Sequence, residues 1–132
     1  MLTEATIFVC AGCERLLTRP VRQLADLPQR VAGDYPVRNP PTVEQGTWAS
    51  DRDLDGGTPV LHLADVLEQV PHPDGGRENG CCGRDGLEGP NLLCPGCQRE
   101  VATVRDDCWT FQEVRLVPGA VRSIPAPGAP YG

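Results

Sequence analysis

Cys10-Ala11-Gly12-Cys13-Glu14-Arg15, near the start of the chain, and Cys94-Pro95-Gly96-Cys97-Gln98-Arg99, near its end, share one skeleton, C-x-G-C-x-R. A C-x-x-C turn presents two thiolates from one compact loop, and zinc takes four such ligands in a tetrahedron. Two knuckles so far apart in sequence predict one site built from Cys10, Cys13, Cys94 and Cys97, with zinc stapling the ends of a single domain together. With four protein ligands the coordination sphere is full, as in a structural rather than a catalytic metal site.

The rest of the composition fits a stapled domain. The chain of 132 residues carries 15 Gly and 14 Pro but only two each of Phe, Tyr and Trp, so turns are plentiful and large apolar side chains scarce. A core that thin favours a metal or disulfides to offset chain entropy. The 7 cysteines are an odd number, which suits a metal better than a closed set of disulfides. The start, Met1-Leu2-Thr3-Glu4, has no basic and apolar leader, and no apolar run approaches a membrane span. The expectation is a cytoplasmic protein, where thiols stay reduced and paired cysteines hold metal. All 12 basic residues are Arg, the net charge is -6, and no basic stripe stands out. Phosphate neutralisation dominates nucleic-acid affinity, so the expected partner is another protein, with neither nucleic acid nor membrane.

Along the chain, Thr6-Ile7-Phe8-Val9 reads as a strand entering the first knuckle, and Leu16-Leu17 continues it on the far side. Residues 20–34 read as irregular or as one short helical turn, since Pro28 interrupts the roughly helical spacing of Leu24, Leu27 and Val31. Residues 36–57 read as a surface loop anchored by Trp48. Residues 58–70 give the best helical pattern, with Leu63, Val66, Leu67 and Val70 recurring at three and four and Asp65 and Glu68 opposite. The alternative is a strand over residues 59–63, with Asp65 near a later helix start. Leu92-Leu93 enters the second knuckle, residues 101–104 leave it, and residues 110–117 alternate as a strand. The fold class expected is mainly β (small α+β): a zinc-ribbon-like, loop-rich single domain over residues 1–117 with one short helix, then an extended or loose tail over 118–132.

Other chemistries compete for the same cysteines. A thiol-disulfide redox protein also uses C-x-x-C, but its motif opens a helix, and the residues after Gln98 read as a strand. Cys82, Cys94, Cys97 and Cys108 are spaced to close a local site instead. With the knuckles paired, His72, Cys81, Cys82 and Cys108 form a candidate second site, and Gly80 and Gly83 permit the turn that aims adjacent cysteines at one metal. With three ligands only, its open position would activate water, giving a hydrolase. The opposing reading makes one or both of Cys81 and Cys82 small buried hydrophobes and His62 a packing residue. Zinc-deaminase chemistry needs H-x-E, which neither histidine begins. Asp51, Asp53 and Asp55 lack the Glu of a calcium loop, His62 standing in its place. No catalytic set emerges, and Trp48 in an acidic loop suits partner recognition, so the expected function is a zinc-binding protein-interaction module.

One block is distinctive in wording: Gly80-Cys81-Cys82-Gly83, Asp85-Gly86-Leu87, Gly89-Pro90-Asn91-Leu92, Cys94, Cys97, Glu100-Val101-Ala102-Thr103 and Asp107-Cys108-Trp109. It resembles a segment of small bacterial proteins of uncharacterised activity, a resemblance that implies no reaction. The knuckles separately look like zinc-ribbon knuckles. They differ in placing glycine before the second cysteine, where ribbons place it after.

Overall fold

The computed structural model describes residues 5–29, 39–52, 57–78, 80, 83–107 and 110–126. Over these the chain is mainly β, as expected. The strands are β1 (Ala5–Cys10), β2 (Val21–Gln23), β3 (Thr47–Asp51), β4 (Thr58–Leu61), β5 (Val70–Pro71), β6 (Leu92–Leu93), β7 (Glu100–Arg105), β8 (Glu113–Leu116) and β9 (Val121–Pro125). They form one sheet in the order β5-β6-β7-β8-β4-β3-β2-β1-β9, antiparallel except where β2 meets β3.

That order places the two knuckles. The first begins at the last residue of β1, the second directly after β6, and five strands stand between β1 and β6 in the sheet. On a flat sheet, six inter-strand steps would separate them by about 29 Å. The four sulfurs nevertheless lie within 4.8 Å of one another, because the sheet curls into a half-barrel and the knuckles meet across its open side. The segment after the first knuckle helps close that gap: Val9 bridges Leu16, Thr18 bridges Val66, and the Leu67 N–H donates to the Leu17 carbonyl at 2.8 Å. The main buried cluster includes Phe8, Leu17, Val21, Leu61, Val101, Val104, Val114 and Leu116, and both Cys10 and Cys94 belong to it.

Three sequence expectations change here. The helix over residues 58–70 is replaced by strand β4 and one 3-10 turn, Leu63–Asp65, so the alternative strand reading is the closer one. Helical spacing loses to tertiary pairing. β4 lies between β3 and β8, and Val66 takes extended backbone to bridge Thr18. Asp65, expected on the solvent side, is buried, and its carboxylate accepts from the Gly46 N–H at 2.6 Å. No helix of seven or more residues occurs among the described residues, only 3-10 turns.

The loop expected over residues 36–57 contains β3. Trp48 does pack inward, its ring edge-on to Phe8 with centroids 5.0 Å apart, but it does so from a strand. Past residue 117 the chain makes a 3-10 turn, Pro118–Ala120, and then β9, which pairs with β1 from Thr6 to Cys10, so the sheet continues beyond the expected boundary. Residues 127–132 of the expected tail lie outside the described residues.

Candidate metal centre

Each knuckle is a backbone turn closed by the same bonds. In the first, the Glu14 N–H donates to the Cys10 carbonyl at 2.8 Å and the Cys10 N–H to the Arg15 carbonyl at 2.9 Å. In the second, Gln98 donates to the Cys94 carbonyl at 2.8 Å and Cys94 to the Arg99 carbonyl at 2.9 Å. In both, the glycine N–H points at the leading sulfur: Gly12 to Cys10 Sγ and Gly96 to Cys94 Sγ, each at 3.4 Å. The residue after the second cysteine is left-handed in both, Glu14 at φ 65° and Gln98 at φ 63°.

The glycines and arginines of the shared skeleton interlock. A Cβ at Gly12 would lie 3.1 Å from the Arg99 guanidinium, and one at Gly96 would lie 2.9 Å from Cys13 Sγ and 3.5 Å from Arg15 Cδ. At Gly12 the crowding comes from the other knuckle's Arg99, and at Gly96 from the other knuckle's Cys13 sulfur, with Arg15 in ordinary contact. This reciprocity was visible in the sequence as C-x-G-C-x-R, although the pairing of Gly12 with Arg99 and of Gly96 with Arg15 needed the structure.

The four sulfurs alternate across the gap. Cys10 Sγ is 3.5 Å from Cys97 Sγ and Cys13 Sγ is 3.6 Å from Cys94 Sγ, all four free thiols. A disulfide needs about 2.05 Å. A tetrahedron of metal–sulfur bonds of about 2.3 Å has edges of about 3.8 Å, close to what is seen. Cys10 and Cys94 are buried, Cys13 and Cys97 exposed. Burial pushes the Cys10 thiol up, but the backbone amides of Cys13 and Gly12 and the facing Cys97 and Cys94 outweigh it and draw it down to about 7. Cys13 is favoured as thiolate by the Arg15 amide, yet Cys94, desolvation, Cys10 and Cys97 together push it up to about 11. One thiol of the cluster ionises readily while its neighbour holds its proton, the behaviour of crowded groups competing for negative charge. A divalent cation at their centre removes that conflict. Cys10, Cys13, Cys94 and Cys97 therefore form a four-cysteine site competent to hold a metal ion.

Among the described residues, Cys94 and Cys97 are thus grouped with the first knuckle. Cys81, Cys82 and Cys108 lie outside the described residues. Their described neighbours are close: Gly83 packs on Asp106, and Gly80 on Asp107. His72 has both ring nitrogens engaged, Nε2 with Glu100 Oε2 at 2.8 Å and Nδ1 accepting from the Asp74 N–H at 3.0 Å. His62 caps the 3-10 turn, Nδ1 accepting from the Ala64 N–H at 2.9 Å. After Cys97 the chain enters β7, not the helix that a redox C-x-x-C would open. Asp51 pairs with Arg115 at 2.7 Å, and Asp53 and Asp55 lie outside the described residues.

Two polar groups that hold the scaffold escaped the sequence reading. Asn91 is fully buried, donating to the Val104 carbonyl at 3.0 Å and accepting from the Val104 N–H at 2.8 Å, in place of a strand that would otherwise pair there. Glu113, equally buried, meets Arg115, Arg105 and the Thr42 hydroxyl. Only an isolated polar residue in a strand-like run signals either of them.

The chain matches no protein-family model, no curated protein and no solved structure.

Proposed function

We propose that this chain is a zinc-binding protein whose cysteine-held metal is structural, and that the stapled β-scaffold works as a protein-interaction module in the cytoplasm. The observation that carries the reading is the convergence of Cys10, Cys13, Cys94 and Cys97, from knuckles with five strands between them in the sheet, on one tetrahedral-sized cluster. Cysteine-only ligation suits zinc, and four protein ligands leave no position for a metal-bound water. The knuckles act as a ribbon-type clip set into a larger sheet. Beside them, a cleft of about 260 Å³ is lined by Arg15, Glu68, Gln69, Val70, Pro71 and Pro95. Leu16, the neighbour of Arg15, and Val70 are exposed apolar side chains, which suits a protein partner better than a nucleic acid.

Elemental analysis of the reduced, purified protein tests the metal: one zinc per four-cysteine site is expected, and chelation should unfold the chain. Protein that is folded, zinc-free and unable to take zinc up overturns the reading. The interaction module is tested by crosslinking in cells. Val70→Asp should abolish crosslinked partners while Leu87→Asp, at an exposed side chain of the 85–89 loop, retains them; equal loss from both would count against this surface.

A further inference from the structure

We propose that the four-cysteine cluster is a peroxide-reactive site in which oxidation replaces the metal by two disulfides running between the knuckles, Cys10–Cys97 and Cys13–Cys94, so that the curled sheet stays closed. The inference rests on the zinc reading for the reduced state, but the disulfide pattern follows from the sulfur distances, the exposure of the cysteines and the knuckle turns.

Three observations carry it. The close sulfur pairs cross the gap, Cys10 with Cys97 at 3.5 Å and Cys13 with Cys94 at 3.6 Å. Each pair joins one exposed and one buried cysteine. The exposed member is where an oxidant arrives, and the buried member waits beside it to resolve the product. Third, the knuckle backbones resist the other pairing. The leading sulfurs of Cys10 and Cys94 are held by the Gly12 and Gly96 amides inside turns fixed by two further bonds each, so joining two cysteines of one knuckle means reshaping that turn.

The chemistry balances with a peroxide as oxidant. As metal ligands Cys13 and Cys97 are thiolates, and either attacks one peroxide oxygen; the O–O bond breaks, the leaving oxygen departs as water after taking a proton, and the cysteine becomes a sulfenic acid. The buried thiolate opposite, Cys94 or Cys10, attacks the sulfenyl sulfur, forming S–S as the S–O bond breaks and a second water leaves with a second proton. Each disulfide thus takes two electrons from sulfur and consumes one peroxide and two protons. After both, no thiolate remains to hold zinc, which is released as the free ion.

The consequence differs from that of an ordinary C-x-x-C disulfide. A bridge within a knuckle closes a loop of a few residues and constrains nothing across the gap, whereas a bridge between knuckles spans 87 or 81 positions of sequence. Closing so long a loop restricts the unfolded chain strongly. The clip would then survive the loss of its metal, with the knuckle surface changed and the sheet intact.

The experiment uses the full chain. Zinc content is measured first on the reduced protein, then hydrogen peroxide is added while a colorimetric chelator follows zinc release, and the product is alkylated and cut with trypsin. Cleavage after Arg15, Arg84 and Arg99 leaves Cys10 and Cys13 in one peptide and Cys94 and Cys97 in another. The expected result is zinc release together with one species joining these two peptides through two disulfides, assigned by fragmentation to Cys10–Cys97 and Cys13–Cys94. Circular dichroism of the oxidised protein should keep its strand signal without metal. Separate peptides with internal disulfides, links to the peptides of Cys81, Cys82 or Cys108, or loss of the strand signal would each overturn the proposal. Absence of zinc at the first step would fail the zinc reading instead, and the disulfide map would still decide this one.

Discussion

Glu14 and Gln98 occupy the left-handed backbone that ribbon knuckles give to glycine, at φ 65° and 63°. An L side chain there costs on the order of 1 kcal/mol, whereas glycine is free of that penalty. Gln98→Gly should therefore raise the stability of the zinc-loaded protein by about 0.5 kcal/mol, after the greater entropy of the unfolded glycine is subtracted. Gly96→Ala should act the other way, since its Cβ would stand 2.9 Å from Cys13 Sγ. Thermal melts of the two variants check both signs, and an unstable Gln98→Gly would show that Gln98 does more than fill the turn. The thiols give a pH dependence. Cys13, pushed up to about 11, keeps its proton at neutral pH, and zinc must displace it; Cys10, lowered to about 7, adds a second proton to displace below that pH. Zinc affinity should fall with acidification, more steeply below pH 7 than above it, in a chelator competition. Without metal the signs differ. The depressed Cys10 stabilises the fold above its ordinary 9.0 and loses that contribution as pH falls through about 7, while the raised Cys13 stabilises below 9.0 and loses it as pH rises through about 11.

At the scale of elements, β7 and β8 owe their placement to two buried polar side chains. Asn91 occupies a ladder position with its side chain, bonding both the N–H and the carbonyl of Val104, while its own N–H donates to Ala102 and its carbonyl accepts from His72. Asn91→Ala leaves two buried backbone groups unpaired and opens a cavity, and should cost about 2–4 kcal/mol in chemical denaturation. On the other face of β8, Glu113 is held by Arg115, Arg105 and Thr42, and Arg115 reaches on to Asp51 at 2.7 Å, tying β7, β8 and β3 together. Burial works against the Arg115 charge, and Glu113 and Asp51 more than restore it, raising its pKa. Glu113→Ala removes one of the two carboxylates that hold Arg115, leaving Asp51, and should cost about 2–3 kcal/mol. Neither residue was legible as a scaffold group, because a buried Asn or Glu in a strand looks in sequence like one on an exposed face. The same limit explains the misplaced helix: Leu63, Val66 and Leu67 carry helical spacing, and only the pairing of Leu17 and Thr18 with residues 66–67, distant in sequence, makes that stretch extended. By contrast β1, β6, β7 and β8 were readable, since β-branched and leucine runs abut each knuckle or alternate plainly.

For the whole molecule, the four-cysteine cluster was the most legible feature and the half-barrel the least. Repeated skeletons announce a shared site, whereas no local pattern tells that β2 pairs parallel to β3 or that β9 closes on β1. Joining the knuckles is what makes the curl necessary, and the buried cluster includes Cys10 and Cys94 themselves, so a metal held by the four cysteines would act as one cooperative unit with the core. Losing any ligand should then act on the whole fold. Cys10→Ser and Cys97→Ser, from opposite ends of the chain, should each lose the zinc and lower stability by similar amounts, on the order of 4 kcal/mol if the clip is worth what a crosslink closing a loop of this length is worth. A strong chelator should unfold the chain as well, and in a Trp109→Phe background the fluorescence of Trp48 should move together with the strand signal, because its ring sits against Phe8 in that core. Metal content and denaturation of the two variants decide the matter: if Cys97→Ser lost zinc while Cys10→Ser retained it, the metal would be held by other ligands around the second knuckle, and the two ends of the sheet would be joined by packing alone.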